Sequence, residues 1–131
     1  MCIRDRENGW RLVHPHEVVD SVAKYREYLQ YSLGEIGCAK PVHSSLLTGW
    51  FSDRSAAYLA SGRPVIAEDT GLRPHLPTGT GLQVFSNLDE AADAVENLRC
   101  NYTKHRMAAR EIAEAHFDAR KVITRMLDVC G

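Results

Sequence analysis

The chain has 131 residues, which fits one domain built around a single hydrophobic core. Hydrophobic residues make up 44% and charged residues 25%, so the composition indicates neither a disordered nor a membrane-spanning protein. Sixteen basic residues against seventeen acidic ones give a formal net charge of -1, which provides no overall field for attracting nucleic acid or an anionic membrane. Any anionic ligand must therefore be held by a local site.

The N-terminal end and the cysteines set the expected context of the chain. Residues 1–6, MCIRDR, match nothing that follows and look like translated sequencing adapter, so we predict a non-native or disordered leader over residues 1–8 and one domain over residues 9–131. The cysteines are scattered and form no CxxC pair, which fits a reducing cytoplasm better than a zinc site or a disulfide framework. No apolar run reaches the roughly 18 residues of a membrane helix, so any membrane contact is expected to be peripheral.

From residue 9 onward the pattern predicts short strands that alternate with helices. Residues 10–13 are a strand candidate, and apolar residues at helical spacing after Pro15 predict a helix from about Glu17 to Tyr31. The members of that stripe are Val18, Val22, Tyr25 and Leu29. Residues 32–40 are glycine-rich but apolar enough to enter the core, which indicates a short strand that opens into a loop.

The central part of the chain has the most legible boundaries. Ser52 is a good N-cap, and Gly62 is a good stop for the helix that follows. The predicted buried stripe of this helix is Ala56, Leu59 and Ala60. Residues 64–67 predict a buried strand followed by a turn at residues 69–71, and residues 82–85 predict another strand after a glycine-rich turn.

The C-terminal part predicts three helices. Asn87, with Glu90 three residues later, is typical of a capped start, a second helix is expected from about Thr103 to Phe117, and a third starts at Asp118. The predicted stripes are Ala91, Ala92, Val95 and Leu98 in the first helix and Val122, Met126 and Val129 in the third. The order of elements predicts an α/β fold: a partial Rossmann-like parallel sheet with helices on both faces and additional C-terminal helices.

The start of the helix after Ser52 is the densest candidate site. A capped helix start presents backbone N–H groups and the positive end of the helix dipole, which attract phosphate. Asp53 lies in the first turn, and Arg54 adds a planar cation suited to phosphate oxygens. On spacing alone, an ordinary first-turn charge and a solvated arginine fit these two residues equally well.

A carboxylate and a lysine before that helix complete the candidate set. Glu35 lies between Gly34 and Gly37 in a weakly charged stretch, so we expect it to face a cavity or solvent. There its carboxylate could accept hydrogen bonds from the two hydroxyls of a ribose. Lys40 could neutralise a diphosphate, although a loop lysine is more often simply solvated. His14 and His16 are separated by Pro15 and no third ligand is suggested, so we predict no metal site.

Several blocks together resemble the C-terminal domain of bacterial GT-B glycosyltransferases, which are nucleotide-sugar-dependent enzymes. The blocks are SLGEIGCAK, GWFSDRSAAYLASGRPVIAEDTG, LPTGTGLQVF, NLDEAADAV and HRMAAREIAEAHFDARKV. The resemblance implies that the active site lies in a cleft between two Rossmann-like domains, and that this chain supplies the donor-binding half without a metal ion. It also implies a missing N-terminal Rossmann-like domain, so the chain alone should be inactive.

The resemblance also assigns roles to individual residues. Glu35 resembles the first acid of the donor-binding pair, whereas the position of the second acid falls on Ala57, so Asp53, one turn earlier, is the nearest substitute. Thr70 and Gly71 resemble the turn whose backbone approaches the donor phosphates or sugar. The substrate-binding set implied in this way is Glu35, Lys40, Ser52, Asp53, Arg54, Thr70 and Gly71.

The expected function is therefore transfer of a glycosyl group from a nucleotide-sugar to an acceptor. The nucleotide-sugar is a co-substrate, and no cofactor is expected. The alternative is a non-catalytic Rossmann-like module that binds a nucleotide or a protein partner. A helical interaction domain formed by the last three helices is a third alternative, but it would leave the central glycine-rich turns without a role. We expect a cytoplasmic protein with no nucleic-acid partner and no integral membrane segment.

Overall fold

A computed structural model describes residues 7–130 of the protein. Their contacts divide the chain into two compact units, one that ends at Tyr31 and one that begins at Ser32. The leader predicted over residues 1–8 lies outside the described residues except for its last two positions.

Within residues 10–31, the first unit contains two helices, α1 (Pro15–Val18) and α2 (Val22–Tyr31). The single helix predicted from Glu17 is wrong, because the helix is interrupted between Val18 and Val22. At this interruption the Ser21 hydroxyl accepts a hydrogen bond from the backbone N–H of Lys24 at 3.2 Å. This contact is typical of an N-cap, so Ser21 starts a new helix. The predicted strand at residues 10–13 is also wrong, since a strand needs a partner for its backbone and none of the described residues pairs with it.

The second unit is built on a three-stranded parallel sheet. Its strands are β1 (Glu35–Gly37), β2 (Val65–Glu68) and β3 (Leu82–Phe85) in the order β1-β2-β3. The register places Val65 opposite Glu35 on one side and opposite Leu82 on the other. This sheet confirms the α/β, partially Rossmann-like fold predicted from the sequence.

Five helices accompany the sheet. They are α3 (Pro41–Ser45), α4 (Asp53–Ala60), α5 (Leu88–Cys100), α6 (Tyr102–His116) and α7 (Ala119–Cys130). All except the short α3 were predicted, and each boundary that was predicted agrees within one or two residues. The caps account for this accuracy: the Asn87 side chain accepts from the backbone N–H of Glu90 at 2.9 Å, and the Glu90 carboxylate accepts in return from the Asn87 side chain at 3.0 Å.

Helices cover both faces of the sheet. On one face Ile66 and Phe85 pack against residues of α5, namely Ala91, Ala94 and Leu98. Side chains alternate along a strand, so Val65 and Leu82 point to the opposite face, where α4 contacts β2, α6 contacts β3, and the two helices pack against each other. The predicted helices on both faces are confirmed.

The faces that α4 and α5 bury differ from the predicted stripes. The buried residues of α4 are Ser55, Tyr58 and Leu59, whereas Ala56 is only partly buried and Ala60 is exposed. In α5, Ala92 and Val95 are exposed and Ala94 is buried instead. In both helices the predicted buried face is rotated about the helix axis from the observed one. Alanines lie on both sides of the buried stripe, so their positions do not indicate which face is buried.

A buried polar network joins β3 to α5 and α6. The backbone N–H of Gly81 donates to Nδ1 of His105 at 3.1 Å, which leaves the proton of the neutral ring on Nε2, 3.4 Å from Oδ1 of Asn97. The Asn97 amide donates to the side chain of Gln83 at 3.2 Å, and Gln83 donates to the backbone of Ala94 at 2.9 Å. His105 is thus a buried connector that works as a neutral ring.

Burial, aided by the positive charge of Lys104, lowers the pKa of His105 below its ordinary value. The unfolded chain therefore binds a proton that the folded chain does not, and the free energy of unfolding should decrease as the pH falls below about 6.5, by at most about 1.4 kcal/mol per pH unit. We expect His105→Gln, which keeps an acceptor for Gly81, to reduce this loss between about pH 7 and pH 5.5 in urea titrations. The matched variant His75→Gln removes an exposed histidine, and an equal reduction there would contradict the assignment.

Substitutions at two glycines of one turn can test how closely α6 packs against the sheet. Gly79 and Gly81 both have positive φ, but a Cβ on Gly81 would lie 2.5 Å from the backbone nitrogen of Ala109, whereas a Cβ on Gly79 meets nothing within 4 Å. Both alanine variants carry the strain of a positive φ, and only Gly81→Ala also pushes α6 away. We expect Gly81→Ala to lower the free energy of unfolding by about 1 to 3 kcal/mol more than Gly79→Ala. Equal losses in urea denaturation would show that the helix yields without cost.

Candidate functional site

The carboxyl ends of β1 and β2 meet at one edge of the sheet, and α4 begins there. Ligands of open parallel sheets bind in the crevice at this edge. In this protein the edge holds a recess whose lining includes Gly37, Cys38, Trp50, Ser52, Arg54 and Glu68. The recess has a volume of about 20 Å³, enough for one water-sized group. A larger ligand would bind across its mouth.

The start of α4 is capped as predicted. The hydroxyl of Ser52 accepts a hydrogen bond from the backbone N–H of Arg54 at 3.2 Å. Oδ1 of Asp53 accepts from the same N–H at 2.8 Å. Asp53 therefore satisfies part of the helix start and adds a negative charge to it, which stabilises the helix but competes with an incoming anion.

Arg54 reaches from the start of α4 to Glu35 on β1. Its Nε donates to Oε1 of Glu35, whose side chain is only 6% exposed, while the side chain of Arg54 is 55% exposed. The solvent-facing position expected for Glu35 is wrong, because its side chain is buried, and the residue begins β1 rather than following it. Oε2 of the same carboxylate is buried without a hydrogen-bond partner.

Glu68 is a site residue that the sequence reasoning missed. It ends β2, and its Oε2 accepts a hydrogen bond from the backbone N–H of Ala39 at 2.9 Å, so it joins the carboxyl ends of β1 and β2. A signal was available, because an acid placed directly after a buried apolar strand falls at the ligand-binding edge of a parallel sheet.

The turn that follows β2 holds the loop before α4. Thr70 is buried, its hydroxyl donates to the carbonyl of Trp50 at 2.6 Å, and its own carbonyl accepts from the N–H of Gly49 at 2.7 Å. Gly71 has φ +89°, and a Cβ there would lie 2.9 Å from the carbonyl oxygen of Leu47. Packing of the loop therefore explains why a threonine stands at position 70 and a glycine at position 71. An approach of this turn to donor phosphates stays a prediction.

Asp69 fixes the same turn by charge. Its Oδ1 accepts from the backbone N–H groups of Gly71 at 2.9 Å and Leu72 at 3.2 Å, and its Oδ2 accepts from Arg73 at 2.8 Å. Burial acts to raise the pKa of Asp69, but the hydrogen bonds from Arg73 and the two N–H groups outweigh it, and the pKa lies below its ordinary value. The carboxylate therefore stays ionised and keeps the turn closed.

Aromatic rings flank the recess. Trp50 lies parallel to His43, with ring centroids 5.0 Å apart and an interplanar angle of 10°, and it remains 43% exposed. Phe51 stacks on Phe117 at 5.4 Å, which ties the loop before α4 to the end of α6.

Lys40 is exposed at the start of α3, and the described residues offer its ammonium no ion pair.

The predicted site residues thus fall into separate groups. Glu35 and Arg54 are in direct contact, and Ser52 and Asp53 share the start of α4 with Arg54, whereas Lys40 follows β1. Thr70 and Gly71 lie in the turn after β2. Within residues 7–130, no group of three or more His, Cys, Asp or Glu side chains is placed to hold a metal ion.

Comparisons with known proteins give no further assignment: no protein-family model, no curated protein and no solved structure matches the chain. In the described part of the chain, no helix combines the length and the apolar character needed to cross a membrane. The glycosyltransferase resemblance and the residue roles that it implies therefore stay predictions.

The burial of Glu35 gives a test of its structural role. Glu35→Gln should lower the free energy of unfolding by about 1.5 to 3 kcal/mol, because Arg54 loses a charged acceptor in a site with little water. Glu114→Gln is the matched control, since it removes the acid of the exposed Arg110–Glu114 pair and should cost less than about 1 kcal/mol. Equal losses for the two variants in urea denaturation would refute a structural role for the Glu35 charge.

Proposed function

We propose that the chain is the donor-binding half of a metal-independent, GT-B-type glycosyltransferase and that it binds a nucleotide-sugar at the carboxyl edge of its sheet. One observation carries the proposal: the capped start of α4 opens at the ends of β1 and β2, with the guanidinium of Arg54 beside it. A helix start and an arginine together stabilise phosphate oxygens, and in this mechanism they would stabilise the leaving diphosphate in place of a metal ion.

The orientation of Arg54 supports this role. The bond from its Nε to Glu35 fixes the plane of the guanidinium, while more than half of the side chain is exposed. A cation held in advance loses less conformational entropy when it binds phosphate than a freely rotating one. Glu35 therefore acts on the ligand through Arg54, a positioning role that differs from the direct hydroxyl contact implied by the resemblance.

The other groups at the edge favour a ligand with hydroxyls as well as phosphate. Asp53 and Glu68 place two carboxylates near Arg54, and carboxylates repel a bare anion but accept hydrogen bonds from hydroxyls. The partly exposed ring of Trp50 offers an apolar face to a sugar or a base. A nucleotide-sugar carries all the matching groups, whereas inorganic phosphate carries only one.

A second candidate is a non-catalytic nucleotide-binding module. It is favoured by Ala57, which stands where the resembling enzymes carry their second acid. The two candidates differ in turnover. Under the first, this chain together with an N-terminal Rossmann-like half transfers or hydrolyses the sugar of a bound nucleotide-sugar. Under the second, nucleotide binding occurs without release of sugar.

The binding test removes Arg54 in a background that lacks the Glu35 charge, so that no buried carboxylate is left without its partner. Calorimetry should compare Glu35→Gln with the double variant Glu35→Gln/Arg54→Ala across a panel of nucleoside diphosphates. Loss of one charge-assisted hydrogen bond predicts about a tenfold to 150-fold weaker affinity for the double variant. Arg99→Ala, at an exposed arginine of α5, should leave affinity unchanged. Equal affinity of the two Glu35 variants would remove Arg54 from the site, and no binding by the wild-type protein would overturn the proposal.

A further inference from the structure

The last helix presents an apolar face that the described fold does not cover. No residue of α7 is buried, and four of its large apolar side chains are more than half exposed: Ile123, Met126, Leu127 and Val129. The helix is nevertheless fixed at its start, because Asp118 accepts from the N–H of Lys121 at 3.1 Å and the ammonium of Lys121 donates to the carbonyl of Glu114 at 2.7 Å. The exposed face therefore belongs to an anchored helix.

The two sides of α7 are cleanly separated. At about 100° per residue, the apolar side chains occupy a continuous arc of about 160° from Val129 to Leu127. The members of the arc are Ala119, Val122, Ile123, Met126, Leu127, Val129 and Cys130. The remaining residues form the polar arc: Arg120, Lys121, Thr124, Arg125 and Asp128. Such separation over three turns is the pattern of a helix that lies at a boundary between water and an apolar phase.

The charges of α7 are positive and stand at both borders of the apolar arc. Arg120 lies next to Leu127 at one border, and Arg125 lies next to Val129 at the other, while the one acid, Asp128, lies in the middle of the polar arc. Within the described residues neither Arg120 nor Arg125 makes an ion pair, and Nε of Arg125 donates to the backbone carbonyl of Lys121 at 3.4 Å. Although the whole chain has a formal net charge of -1, this helix has three basic residues against one acidic residue.

This distribution distinguishes between possible occupants. The seam that a single partner helix covers is narrower than the apolar arc of about 160° on α7, whereas a flat surface covers the whole arc and meets both borders at once. Two copies of α7 packed face to face would bring their border arginines together, which like charges oppose. We infer that α7 lies on an anionic lipid surface, with the apolar arc among the acyl chains and Arg120 and Arg125 at the lipid phosphates.

The test is sedimentation of the full chain with vesicles of phosphatidylcholine alone or mixed with phosphatidylglycerol. We expect binding to the mixed vesicles, weakened by salt, and little binding to the neutral ones. Arg120→Gln and Arg125→Gln should each weaken partitioning about fivefold. Arg99→Gln, at an exposed arginine of α5, should leave it unchanged.

The apolar arc is tested by two variants that add the same charge to opposite sides of α7. Met126→Asp should weaken binding to mixed vesicles by more than about tenfold, because it places a carboxylate among acyl chains, whereas Thr124→Asp should weaken it by about fivefold or less. Both positions are exposed, so thermal melting should be unchanged. Equal effects of the two variants, equal binding to neutral vesicles, or no vesicle binding would each overturn the inference. Self-association that Met126→Asp abolishes, without vesicle binding, would assign the face to a second copy of the chain.

Discussion

A buried carboxylate on a short edge strand constrains the geometry around the carboxyl edge of the sheet. β1 has three residues and, in the described part of the chain, pairs only with β2, so its backbone provides few hydrogen bonds to hold it in place. The ion pair between Glu35 and Arg54 adds a connection from β1 to α4. Because a buried charge must be paired, the start of α4 is held near β1 by electrostatics as well as by apolar packing. The recess at the sheet edge depends on that placement.

The same pair limits the chemistry of the proposed site. Arg54 is at once the structural partner of Glu35 and the candidate phosphate ligand, so part of its charge is already neutralised. With Asp53 and Glu68 also at the edge, the local charge does not favour a bare phosphate. Specificity would then come from hydroxyl and ring contacts, and the contact between Arg54 and the diphosphate would contribute affinity that any nucleoside diphosphate shares. Under the proposed transfer reaction, this balance suits a nucleotide product that has to leave.

Local chemistry determined which features the sequence could predict. Ser52 and Asn87 cap their own helices through contacts within three residues, so both boundaries were found. The pairing of Glu35 with Arg54 spans 19 residues and leaves no local pattern, which is why the sequence placed that carboxylate in a cavity or in solvent. The strand predicted at residues 10–13 failed for a related reason, since a strand exists only with a partner that its own sequence does not specify.

The contrast between α6 and α7 shows how far a periodic pattern can be interpreted. Both helices have an apolar stripe, but α6 buries Ala109, Ile112 and Ala113, and at Ala109 the backbone of Gly81 approaches closely. Helix α7 instead exposes large side chains such as Met126 and Leu127. Alanines permit close packing of rigid elements, while long flexible side chains adapt to a surface without fixed shape. Periodicity therefore identifies the apolar face, and the size of its side chains with the charges at its borders indicates what that face meets. For α7 both features favour a fluid, anionic surface over a rigid protein partner.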